Sequence, residues 1–157
     1  MTHREFLARS GLSELNLNPH FLEAEFSPGA PDRTAAWELY VELLTRITTQ
    51  RLAPDEGDEK AALDSVYSLF PLTRELLRKH GAGAAEFAKL AIPVLNQIIR
   101  PFTAKWHRVA LSGGLGEPVR CAEFRAELSR LQKILRGYTQ ALAAMASVDD
   151  LTTLESP

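Results

Sequence analysis

The feature that most constrains this chain is a run near its C-terminal end. Cys121, Phe124, Leu128, Leu131, Leu135, Tyr138, Leu142 and Met145 follow one another at spacings that alternate strictly between three and four. That alternation is the a/d seam of a heptad repeat, sustained over about four heptads with Arg, Lys, Glu and Gln outside. At about 1.5 Å of rise per residue the helix spans roughly 40 Å. A seam of that length must be covered. Other helices of the same domain are the natural cover, and a second copy of the helix is the alternative.

Three further helices are expected to supply it. The first runs from Asp32 to Arg51. Asp32 is placed to cap it, and Trp37, Tyr40, Val41, Leu44 and Ile47 recur at threes and fours as its buried face. Glu38, Glu42, Thr45 and Thr49 form the opposite, wet face, with Glu42 and Arg46 spaced for an i, i+4 pair. The second runs from Asp58 to Gly81, acidic at its start and closed by Arg78-Lys79-His80, both of which suit the helix dipole. Pro71 inside it predicts a kink, or two helices meeting at Phe70-Pro71. The third runs from Ala84 to Leu111 with Pro93 and Pro101 inside. Its stripe of Phe87, Ala91, Val94, Ile98, Phe102, Trp106 and Val109 survives both prolines and predicts one bent helix.

The expected fold is therefore all-α: an antiparallel four-helix bundle over residues 32–147 with kinked second and third helices. Residues 1–31 are an irregular, partly extended arm. It holds a short helix from His3 to Arg9, with Leu15, Leu17, Phe21 and Phe26 as anchors. Residues 148–157 form an acidic tail expected to fray.

A chain of 157 residues is large enough for one self-sufficient core. Its single cysteine, Cys121, permits no internal disulfide and suits a reducing compartment. The first residues lack the apolar run of a secretory signal, and no stretch is apolar and long enough for a bilayer, so the expectation is cytoplasmic, with no membrane partner. The four histidines have no neighbour at ligand spacing, so neither a metal nor another cofactor is expected. The net charge of −2 hides an asymmetry: residues 1–71 carry 6 Lys/Arg against 12 Asp/Glu, whereas residues 72–138 carry 12 against 5. Either the two halves neutralise each other, or Arg120, Arg125, Arg130, Lys133 and Arg136 offer a basic face to a partner.

The one polar cluster suited to chemistry lies in the third helix. Asn96, Arg100, Thr103 and His107 step by 4, 3 and 4 and form a line beside the apolar stripe. It reads either as a solvated edge or as a binding site. An Arg followed after six residues by a His, on a helix of a bundle, resembles the motif of the HEPN ribonucleases. That resemblance implies a His acting on the attacking ribose hydroxyl and an Arg steadying the phosphate, across a dimer. Pro101 departs from the pattern, which favours a polar residue there, and Arg74 with His80 makes a second pair of similar spacing.

The segments AAWELYVELLTRITTQ, VYSLFPLTRELLRKHG and VLNQIIRPFTAKWHR resemble an uncharacterised bacterial helical module associated with genome-defence gene clusters. The resemblance covers about residues 32–150 and implies a partner-binding component of a defence system. Two functions stay open. One is a non-catalytic module that binds a protein or a second copy of itself. The other is an RNA-cleaving or nucleotide-sensing bundle that uses Arg100 and His107, with nucleic acid as the weaker partner class.

Overall fold

The computed structural model describes residues 1–155. Among them there are eight α-helices and no strand beyond an isolated bridge between Thr2 and Glu25. The helices are α1 (His3–Arg9), α2 (Pro19–Leu22), α3 (Ala30–Leu44), α4 (Glu59–Tyr67), α5 (Leu69–His80), α6 (Ala85–Pro93), α7 (Arg100–Leu111) and α8 (Pro118–Ala146). α3 lies at the centre, packed along α8 and flanked by α5 and α6, while α4 covers α7.

α8 forms as the heptad seam predicts. Phe124, Leu128, Leu131, Leu135, Tyr138, Leu142 and Met145 are all buried, and only Cys121, at the start, is half-exposed. Burial pushes the Cys121 thiol pKa up, and its Sγ donates to the Leu115 carbonyl.

α3 departs from expectation in both length and face. It ends at Leu44 rather than Arg51, because the next hydroxyls compete for the backbone. Thr48 and Thr49 both donate to the Leu43 carbonyl, at 3.0 and 2.7 Å. The carbonyls freed beyond them are taken by α8: Gln132 Nε2 donates to Ile47 and Gln50, and Arg136 donates to Thr49. The buried face is Ala35, Ala36, Leu39, Tyr40 and Leu43, so Trp37 and Val41 stand outside, and Thr49 is buried rather than wet. Since α3 begins at Ala30, Asp32 is not the residue before the helix but the third residue of it, in its first turn. One of its oxygens accepts from Gly29 N–H, and the other accepts from Phe87 N–H in the first turn of α6.

The second element is two helices, which break at Ser68, two residues before the expected point. Pro71 then falls in the first turn of α5, where its missing N–H removes no helical bond. Gly81 closes α5 with φ of +66°. The third element is helical throughout: α6 and α7 are joined by a π-helical turn, Val94–Ile99. Pro101 cannot donate to the Gln97 carbonyl and its ring crowds that oxygen. The turn widens there, and Arg100 N–H reaches back five residues to Leu95.

The arm lies on the bundle. Phe6, Leu7, Leu12 and Leu15 are buried, Phe26 stacks on Phe6 at 3.9 Å, and Gln97 exchanges two 2.8 Å hydrogen bonds with the backbone of Asn16. Phe21, expected as an anchor, is exposed on α2, a short helix that the prolines had masked. Past α8, Ser147 turns left-handed and the chain folds back onto α3. Tyr40 donates to Asp150 at 3.1 Å, and Leu151 N–H donates to the Tyr40 hydroxyl. Residues 156 and 157 of the expected tail lie outside the described residues.

Candidate functional site

The polar line of α7 faces the α4–α5 elbow. Thr103 is buried, and its hydroxyl is spent on the carbonyls of Ile99 and Arg100. Asn96 is exposed and accepts from the Arg100 guanidinium at 3.2 and 3.4 Å. Arg100 lies over the ring of Phe70, 4.7 Å from its centroid, rather than pairing with Glu38 or Glu42. Those carboxylates are already taken, Glu38 by Lys79 and His80 and Glu42 by Arg46. His107 packs edge-on against Tyr67 at 5.0 Å, with Nε2 3.9 Å from Asp64. Arg100 and His107 thus rest on separate, neighbouring rings, Phe70 and Tyr67, whose centroids are 5.4 Å apart. Trp106 is fully buried and donates to Glu127 at 2.7 Å.

Arg74, from α5, reaches the same Phe70 ring at 5.7 Å. Two guanidiniums from different elements therefore share one buried ring, and neither has a carboxylate partner among the described residues. A cation over an exposed-side ring gains about 0.5–1 kcal/mol. The second cation gains the same but must bear the repulsion of the first.

The basic face of α8 divides. Arg125 is bound inward to Glu59 at 2.8 Å and to the carbonyls of Ala53 and Glu56, and Arg136 holds Thr49. Both are braces for the irregular segment between α3 and α4, and the Arg125 contact holds the Glu59 carboxyl below its ordinary pKa. Arg120 pairs with Glu123 on its own helix. Arg130 and Lys133 are exposed without a carboxylate among the described residues.

One open apolar feature joins two residues that the spacing had placed on the buried face of α3. Trp37 and Val41 are 42% and 41% exposed. With Leu72 and Leu76 of α5 they floor a groove of about 440 Å³. Its rim is Glu38, Glu42, Glu75 and Lys79, three carboxylates against one ammonium. Hydrogen bonds from His80 and then Lys79 hold Glu38 below its ordinary pKa, and Glu42 is paired with Arg46, so Glu75 is the rim carboxylate left without an ion pair among the described residues. A signal for this face was present in α3, which is apolar on two sides and can bury only one of them.

No group of three or more His, Cys, Asp or Glu among the described residues is placed to hold a metal ion. No helix among them is long and apolar enough to cross a membrane. No family model matches the chain, and no curated protein or solved structure matches it either.

Proposed function

We propose that this chain is a non-catalytic helical module that binds a partner protein through the α3–α5 groove. The observation that carries the reading is the pair Trp37 and Val41, two large apolar side chains held open above an acidic rim. An aromatic residue of this kind at the centre of a groove is the usual anchor of a helix-in-groove interface. The rim narrows the occupant to an amphipathic helix whose apolar stripe covers Trp37 and Val41 and which sets a Lys or Arg against Glu75, the one rim carboxylate without an ion pair among the described residues.

The scaffold beneath works as an antiparallel four-helix bundle with α3, α4–α5, α6–α7 and α8 as its columns. In support, Tyr40 reaches Asp150 while the later Thr49 reaches the earlier Arg136, so α3 and α8 run in opposite senses. The resemblance of three of its segments to a defence-associated module makes the role an accessory one in a bacterial defence system.

Titration with a synthetic amphipathic Leu/Lys helix, followed by tryptophan emission, tests the groove. Trp106 is buried, so a blue shift on binding reports Trp37. Trp37→Ala, with binding read by isothermal calorimetry because the variant lacks the reporter, is expected to leave the melting temperature nearly unchanged, while weakening peptide binding by at least about 30-fold. Binding that survives both Trp37→Ala and Val41→Glu would overturn the reading. So would a dimer in analytical ultracentrifugation that Val41→Glu dissolves, because a second copy would then be the occupant.

A further inference from the structure

We propose that Arg74 and Arg100, gathered over Phe70, form a binding site for a phosphate monoester dianion. The two heads come from α5 and α7 and meet on one ring, at 5.7 and 4.7 Å from its centroid. The ring is buried, so it cannot swing away to separate them. It also takes no N–H group from either head. Arg100 spends donors only on the neutral amide oxygen of Asn96, through long contacts of 3.2 and 3.4 Å, and Arg74 spends none on any described residue. Two charges of one sign thus lie 5.7 and 4.7 Å from the centroid of one ring with most of their donors free, and neither is paired with a described carboxylate. Asp64 lies one turn away at His107 and is paired with Lys60 at 2.5 Å, and Glu75 turns into the groove on the other side of α5.

The charge and shape choose the ligand. A planar guanidinium fork matches phosphate oxygens in pairs, and two forks match a dianion. A phosphodiester carries one negative charge and would leave one guanidinium unbalanced. The patch is on an open surface, so it suits a phosphate group presented from outside, whether free or carried by a larger molecule. Phe70 and Arg74 lie on the face of α5 opposite Leu72, Leu76 and Lys79, so this site and the proposed groove stand or fall separately.

The test is a ¹⁵N NMR titration of the full chain with inorganic phosphate, and then with phenyl phosphate, at ionic strength held constant with sodium chloride. A saturable shift is expected at the Nε–H groups of Arg74 and Arg100 and along the facing turns of α5 and α7. Arg74→Gln and Arg100→Gln are each expected to weaken it at least roughly tenfold. Arg74 is exposed and braces nothing, so Arg74→Gln decides the matter even if Arg100→Gln perturbs the fold. Shifts that do not saturate, or that both variants retain, would overturn the proposal. Single-stranded RNA without a terminal phosphate, binding the same residues more tightly than phenyl phosphate, would replace the monoester with a strand.

Discussion

His3 is an imidazole with 1% of its surface exposed and neither ring nitrogen hydrogen-bonded. Its Nδ1 lies 3.5 Å from Oε2 of Glu86, whose other oxygen holds Lys89 at 2.7 Å. Burial dominates and pulls the His3 pKa below 6.5, with Glu86 opposing and Lys89 reinforcing the shift. The unfolded chain therefore takes up the proton first. The stabilisation is complete above about pH 6.5 and is lost as the pH falls through the lowered folded value. Glu38 and Glu59, whose pKa values are also lowered, lose stability further into acid, so the wild type must be compared with His3→Phe. Melts from about pH 8 to about pH 5 should show a shallower decline for the variant; parallel curves would mean that His3 titrates as it does in the unfolded chain. Gly137 supplies a second residue-level prediction. A Cβ there would lie 2.4 Å from the Ser10 carbonyl oxygen, so the glycine lets α1 sit directly on α8. Alanine is the better helix former by about 1 kcal/mol, yet Gly137→Ala is expected to destabilise the fold by about 1–3 kcal/mol through that overlap. A higher melting temperature would show that the arm yields without cost.

The elements divide by how many answers their patterns allow. In α8 the strict 3-4 alternation made the large apolar buried positions from Phe124 to Met145 legible, while Gln132, Thr139, Ala141 and Ala143 are buried beside that seam and were not legible from it. Leu135 is fully buried, and Leu135→Ala is expected to cost about 2–5 kcal/mol in a chemical melt. α3 allowed two stripes of similar spacing, and of the expected Trp37, Tyr40, Val41, Leu44 and Ile47 only Tyr40 is fully buried, Leu44 and Ile47 are half-buried against the core, and Trp37 and Val41 stand outside. The stripe that won contains Ala35 and Ala36, whose small side chains let neighbouring helices approach closely, beside the fully buried Leu39. The early end of α3 was only partly legible: Thr48 and Thr49 compete locally for the Leu43 carbonyl, but Gln132, which takes up the carbonyls freed beyond them, lies about 85 residues away. Gln132→Leu keeps the volume but strands the Ile47 and Gln50 carbonyls, at a cost of about 1–3 kcal/mol for each left without water. Faster hydrogen exchange confined to residues 45–57 would locate the loss. Exchange that stays unchanged would show that Arg125 and Arg136 suffice as braces.

Across the whole molecule, the acidic and basic halves meet at fewer places than their charges allow. Lys79 with Glu38 and Arg125 with Glu59 cross between the halves, while Lys89, Lys105 and Arg120 pair with Glu86, Glu127 and Glu123 inside the basic half. That left the candidate sites only partly legible. Composition could announce surplus positive charge, but which heads would be braces depended on carbonyls that a broken α3 exposes. Arg125 and Arg136 were consumed that way, whereas Arg74, named in the sequence only as part of a pair with His80, kept its head free. The heads without a carboxylate among the described residues, including Arg74, Arg100, Arg130 and Lys133, should retain the protein on heparin at low ionic strength despite its net charge of −2. Because exposed charges are screened over about 8–10 Å near physiological salt, elution is expected before about 0.15 M. Removing Arg130 and Lys133 together should shift elution on heparin while leaving the phosphate response at Arg74 intact, since the two patches lie on different elements. A double variant that loses both would mean one continuous basic surface, and no retention even at low salt would mean that the folded acidic half cancels the field of the basic one.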